Sequence, residues 1–476
     1  MHASPMDVAV FLLYVLLMLH LGYRGWRRSR TSSDYLLAGR RLGYGMYVSC
    51  LAAVALGGAS TVGSAKLGYE HGISGAWLVT MIGLGIVVLG ALLGTKLSNL
   101  GVFSLSEMLE LRFDGRARLV SALITAVYAA MLAVTQVIAM GAILGPMFGW
   151  SPTTGMLVGG SIVMAYTIAG GMWSVSLTDV LQFGLMTVGV FALMLPFGIA
   201  SVGGLDELFA RLPPGHLRVD GIGASTILSF FLLFFLGLLI GQDIWQRVFT
   251  ARSATIARRG TVVAGFYCIT YAFAMTLVGM IAAVRFPALA DPQAAFATVA
   301  VELLPAGVTG IVLAASLSAL MSTTSGTVLA SSTVLASDVY RRFLRPETDD
   351  RQFLIVSRVL TGAIGACVLV VALFVRDVIL ALDIAYTLLS GAVFVPVMAA
   401  LFWTRATATG TLVSMCVSTV VAVGAMIVWG PGSTPPIVLG LVASGLVLVG
   451  SSLLTKPPDA TRLRAWERRL AGSDTG

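Results

Sequence analysis

Residues 316–333, SLSALMSTTSGTVLASST, hold ten Ser or Thr in eighteen positions. A lipid-facing helix has no use for so many hydroxyls. Some, such as Ser331, Ser332 and Thr333, can bond back to a carbonyl one turn earlier. Ala319, Ser322 and Thr323 differ, because at i, i+3 and i+4 they share one helical face. There a carbonyl lone pair and two hydroxyls can converge on one point. Hard cations such as Na+ prefer oxygen ligands of this kind.

Two other stretches carry helix-interrupting glycines. Residues 51–64 read LAAVALGGASTVGS and residues 234–243 read FFLGLLIGQD. Close packing through small residues is the competing reading for either stretch alone. Their comparable depth, five spans apart, favours discontinuous helices at a transporter's binding site. Unwinding frees backbone carbonyls, so those of Ala59 and Val62 are expected to complete the cation shell. In residues 166–182, YTIAGGMWSVSLTDVLQ, Asp179 is open to two readings: a helix N-cap, or a step on a cation route.

Solute candidates near the breaks are Ser60, Thr61, Gln136, Gln242, Asp243 and Tyr386. Gln136 can equally bridge helices, and Tyr386 can simply pack with its hydroxyl satisfied. Asp243 stands four residues before Arg247, so an i,i+4 ion pair is expected there. Lys66 is expected to snorkel to the membrane surface. Asp383 faces a vestibule or pairs with Arg376. The group contains no strong fixed charge, which disfavours a multiply charged solute and leaves a sugar, amino acid, monocarboxylate or vitamin open.

The elements that must position these groups follow from composition. The 476 residues are 57% hydrophobic and 11% charged, with a mean hydropathy of +0.93. A soluble domain carries about 25% charged residues. The deficit excludes a cytosolic enzyme, a disordered scaffold and a nucleic-acid binder, and it makes the lipid bilayer the chain's main partner. Fifty-three glycines suit closely packed and broken membrane helices. At about 20 apolar residues per span, thirteen spans are expected: 6–23, 44–68, 74–96, 118–147, 152–171, 179–203, 224–246, 260–284, 305–337, 354–375, 378–403, 407–430 and 435–455. With the N-terminus outside, inner loops and tail hold 25 of the 30 Lys and Arg, which fits the excess expected on the inner face. Residues 97–117 should contain a short interfacial helix capped by Ser104 or Ser106. The first span lacks a basic leader and is read as a retained helix. Four scattered cysteines support neither a disulfide framework nor a metal site.

These residues resemble the sodium:solute symporter family, whose fold is that of leucine-transporter-like proteins. The matching pieces are the 166–182 stretch, GQDIWQR (241–247), ALMSTTSG…SSTVLASDVY (319–340) and LLSGAVFVPVMAALFWTRATATG (388–410). The resemblance runs from the first span to the last. It implies an all-α polytopic membrane protein with a ten-helix core of two inverted five-helix repeats (44–403). Around that core stand an extra N-terminal helix (6–23), two extra C-terminal helices (407–455) and a cytoplasmic tail (456–476). It places a sodium site on the carbonyls of Ala59, Val62 and Ala319 and the hydroxyls of Ser322 and Thr323. It also implies a second sodium position or exit route at Asp179, Ser322 and Ser325, although Gly326 stands where members with that site carry a hydroxyl. Thr61 replaces the aspartate of proline-transporting members, which argues against carrying over proline specificity.

The expected function is secondary active import of a small organic solute by Na+ symport through alternating access, in the cell membrane. A proton-coupled or uncoupled transporter of the same fold is the alternative. A membrane sensor is a further one, for which the 20 residues after Lys456 leave no room for a kinase. An intramembrane enzyme is not expected, because His2, His20, His71 and His216 lie at termini or outer-surface positions. Oligomeric state is not readable.

Overall fold

The computed structural model describes residues 4–375 and 378–473. Among them every regular element is helical apart from one isolated bridge between Leu42 and Ala251. This is the outcome hydrocarbon imposes, since a helix satisfies its backbone internally. The first helix, Pro5–Arg28, starts at a capping box in which Ser4 and Asp7 exchange hydrogen bonds, and it ends in arginines. His20 is exposed toward that arginine-bearing end, not on the opposite face.

Among the described residues ten helices are long and apolar enough to cross a bilayer. The number becomes eleven if Ala224–Leu238 and Gln242–Val248, bent by 41°, form one span. Two of the ten, Ala59–Leu100 with 42 residues and Pro152–Val202 with 51, are long enough for two crossings of about 30 Å each. Each is interrupted, the first by the tight 3-10 stretch Gly72–Ala76 and the second by Gly171 at φ 53°, ψ −137°. Thirteen passes follow only if both are divided there, Tyr44–Ala55 is joined to Ala59–His71, and the bent pair counts once.

Gly171 also corrects a boundary. The sixth span, expected from residue 179, resumes directly after this glycine, whose left-handed φ turns the chain without a loop. Asp179 therefore sits about two turns inside its helix and is no N-cap.

The first helix packs on this turn. Ser29 Oγ donates to the Gly170 carbonyl (2.5 Å) and Ser174 Oγ to the Gly22 carbonyl (2.7 Å). The ninth span, Val308–Val334, continues through Leu335–Leu344; every residue from Val312 to Val334 is buried. Its start is capped from another helix, as Asp7 Oδ1 accepts the amides of Gly307 (2.9 Å) and Gly310 (2.7 Å).

The arginine-rich face is closed by ion pairs and a short interfacial helix, Leu105–Arg112, capped by Ser104. Arg118 bridges Glu110 (2.6 Å) and Asp338 (2.6 Å), and Arg342 reaches Glu110 (2.8 Å). In the tail, helix Ala460–Ala471 docks on the same face: Trp466 is buried, and its Nε1 donates to the Ala400 carbonyl (3.1 Å). Cavities of about 1210 and 240 Å3 lie instead toward the arginine-poor face, with loop residues such as Trp150, Asp291 and Gly432 in their linings beside helical ones.

Candidate functional site

The first break lies where expected. Helix Tyr44–Ala55 stops at Leu56 (φ −103°, ψ 66°), and the chain resumes as the π-helical turn Ala59–Gly63. A helix end leaves its last carbonyls without partners, and here hydroxyls supply them. Thr323 Oγ1 donates to Val54 O (2.9 Å) and Ser60 Oγ to Ala55 O (3.3 Å), while Thr61 Oγ1 adds a bond (3.2 Å) to Gly57 O, which already accepts the Thr61 amide. On the far side of the break, Gly58 N–H donates to Gln136 Oε1 (2.5 Å). A methyl on Gly57 would stand 2.6 Å from that oxygen, so only glycine admits the amide side chain.

The orphan carbonyls thus precede the break. The Ala59 carbonyl, expected to be freed by it, accepts the Ser64 amide. Its second lone pair is still available to a cation.

In the second discontinuous helix, Ala224–Leu238 gives way at Leu239–Gly241 to Gln242–Val248. Trp245 Nε1 donates to the Leu239 carbonyl at 2.8 Å. Gln242 is not among the residues that line the cavity between the breaks. Its Oε1 accepts the Leu105 amide (2.8 Å), which ties the break to the interfacial helix. Asp243 turns the other way, accepting the Tyr128 hydroxyl (3.1 Å).

The expected Asp243–Arg247 pair does not form. Arg247 pairs with Asp179 across 3.3 Å, both side chains fully buried, and Asp179 Oδ1 accepts Ser322 Oγ (2.6 Å). The sequence spacing of four residues lost to a partner 68 residues away. A methyl on Gly326 would stand 2.8 Å from Arg247 Nη2, so the glycine leaves room for the guanidinium. Along the same helix Ser325 Oγ bonds back to Ser322 O (3.0 Å), and Ser332 and Thr333 to Leu329 O. Ser331, expected to bond back, instead reaches the Ala126 carbonyl of the fourth span (3.0 Å).

Between the breaks lies a cavity of about 20 Å3, room for about one water. Ala59, Ser60, Gln136, Asp243, Thr323 and Tyr386 line it together. Tyr386 meets Tyr128 and Phe234 edge-on, at ring distances of 5.4 and 5.2 Å. Val62 lines the two larger cavities, and Ala59, Phe234 and Leu382 line both the small cavity and the 240 Å3 one. Ala319, Ser322 and Ser325 are buried and do not line it. Thr61 is not in its lining and meets the Tyr271 hydroxyl (3.3 Å). Lys66 and Asp383 both line the 240 Å3 cavity, so Lys66 faces a vestibule; Arg376 lies outside the described residues. Tyr128 escaped the sequence reading, although Tyr128, Leu132 and Gln136 recur at i, i+4 and i+8, a stripe on one helical face.

The family model of the sodium:solute symporter family matches residues 35–418. The chain belongs to this family. It is similar to a sodium/proline symporter of Escherichia coli (strain K12), 28% identical over 99% of this chain and 97% of that protein. A sodium/pantothenate symporter of the same strain is 28% identical over 94% of this chain and 94% of its own length. Among solved structures, a Na+-coupled sialic acid symporter in a substrate-bound, outward-open state superposes with a TM-score of 0.81 at 21% identity, covering 96% of this chain and 99% of that one. That likeness establishes the fold, an all-α membrane bundle with discontinuous helices. As a family member the chain is a multi-pass membrane transporter that couples Na+ to the import of a small organic solute.

Proposed function

We propose that Na+ is held between the second and ninth spans by the carbonyls of Ala59, Val62 and Ala319 and the hydroxyls of Ser322 and Thr323, and that the solute binds beside it between the two breaks. The observation that carries this reading is the single cavity on which Ala59, Thr323, Ser60, Gln136, Asp243 and Tyr386 meet. Ser322 and Thr323 each donate their proton within the protein. That fixes their orientation and leaves oxygen lone pairs for a cation. Asp179, beside Ser322 and paired with Arg247, lies on the ion's route away from the site, with Ser325 next along the helix.

The larger cavities at the arginine-poor face and the packed ion pairs opposite fit an outward-open state. Alternating access then requires the Glu110–Arg118–Asp338 cluster to open. The arginine distribution supports a cytoplasmic position for that cluster and the tail, with the N-terminus outside. Thr61 and Gln242 hold the broken segments instead of touching solute.

The test is uptake into proteoliposomes of a panel of small solutes, with Na+ or choline outside. Accumulation that requires the Na+ gradient, and that needs more Na+ after Ser322→Ala, supports the reading. Equal accumulation in choline refutes it.

A further inference from the structure

We propose that Asp243 is the specificity-determining counter-charge of the solute site, and that the solute carries a cationic nitrogen, a protonated or quaternary amine. The inference rests on the small cavity being the inner end of the solute site. Asp243 is 2% exposed and lines that cavity. Its carboxylate accepts the Tyr128 hydroxyl, but no Lys, Arg or His among the described residues forms an ion pair with it. The nearest cation in sequence, Arg247, makes its ion pair with Asp179 and reaches Asp243 only through space. A carboxylate buried at membrane depth is costly without a partner, and a hydroxyl alone brings no opposite charge.

The surroundings specify the missing partner. Tyr386 and Phe234 present aromatic rings to the same cavity, and such rings attract a desolvated cation. The cavity lining contains no Lys or Arg. An anion without an amine would therefore bring a second negative charge beside Asp243 with no cation in the lining to offset it. A polyol would leave the charge unpaired. Lys66 stands farther out, in the 240 Å3 cavity that shares Ala59, Phe234 and Leu382 with the small one. A zwitterion can thus lie with nitrogen inward and carboxylate outward.

The experiment is thermal unfolding of the purified full-length protein in Na+, against amino acids, betaines and simple amines, their deaminated acids, and polyols. A ligand of the folded state raises the unfolding temperature in proportion to its affinity. The solutes that stabilise the wild type are expected all to carry a cationic nitrogen. Asp243→Asn should weaken them at least about 30-fold, while Asp243→Glu retains part of the response. Stabilisation by Na+ alone should survive in Asp243→Asn, which shows the variant folded. Its loss in Ser322→Ala is a separate readout, for the sodium site. Three results would overturn the proposal: stabilisation by amine-free acids or polyols, no stabilisation of the wild type by any amine, or an Asp243→Asn protein that binds the amine as tightly as wild type.

Discussion

Gln136→Leu probes the join between the fourth span and the first break. Gln136 Oε1 takes the Gly58 amide at 2.5 Å, and Nε2 donates to Thr135 Oγ1 at 2.7 Å. Leucine fills similar space, so the loss is chiefly the acceptor. Thr135 still donates to Leu132 O (2.7 Å) and is not orphaned. The Gly58 N–H is orphaned, in a buried site next to Ala59, and such a group costs about 1–3 kcal/mol. If that cost falls on the geometry the cation needs, half-maximal stabilisation by Na+ moves up about 5- to 150-fold. The assay is unfolding temperature against Na+ concentration, with choline holding ionic strength constant. The expected result is a lower unfolding temperature without Na+ together with a right-shifted Na+ response. A variant unchanged in both would show that the Gly58 amide does not depend on Gln136 and would refute the argument.

Other substitutions test other joints. Arg247→Met leaves the Asp179 carboxylate buried and unpaired, which should cost about 3–5 kcal/mol. Adding Asp179→Asn should recover most of it, and a double variant no more stable than Arg247→Met would contradict the pair. On the arginine-rich face, burial pushes the Glu110 carboxyl up, yet hydrogen bonds and charge from Arg342 and Arg118 hold it below its ordinary 4.5. The folded state therefore favours the carboxylate, and its stabilisation is complete above 4.5 and lost as pH falls through the lower folded value. Wild type should thus unfold at higher temperature than Glu110→Gln near neutral pH, with the gap closing below 4.5; a gap independent of pH would count against it. Gly237→Ala would place a methyl 2.5 Å from Tyr386 Cδ1, where a packed ring must move. Solute binding should weaken by about 1–3 kcal/mol while the Na+ response persists, and unchanged solute binding would mean that Tyr386 does not shape the site.

Much of the site is legible in sequence because its chemistry is local. Ala319, Ser322 and Thr323 share a face by helical arithmetic, and the Gly57–Gly58 pair marks a break without reference to any other helix. What escaped depends on distant partners. Spacing alone linked Asp243 to Arg247, but burial made each seek the best-placed group in three dimensions, and Arg247 found Asp179. Gln242 looked like a cavity residue because it adjoins Asp243, yet a helix start turns adjacent side chains in different directions, and Gln242 serves the Leu105 amide. The fifth span reads as ending at Gly171 and the sixth as starting only at residue 179, because an apolar run does not reveal a glycine whose positive φ turns the chain without a loop. The freed carbonyls fell at Val54 and Ala55, not at Ala59, because a helix end strands the carbonyls before it.

The central claim is a sodium site between the broken second span and the ninth. It is tested most directly by measuring stabilisation of the purified protein by Na+, with choline as control, in wild type and in Ser322→Ala/Thr323→Val. Loss of two hydroxyl ligands should raise the Na+ concentration needed at least about tenfold, with choline inert in both proteins. A double variant that responds to Na+ as wild type does would contradict the account.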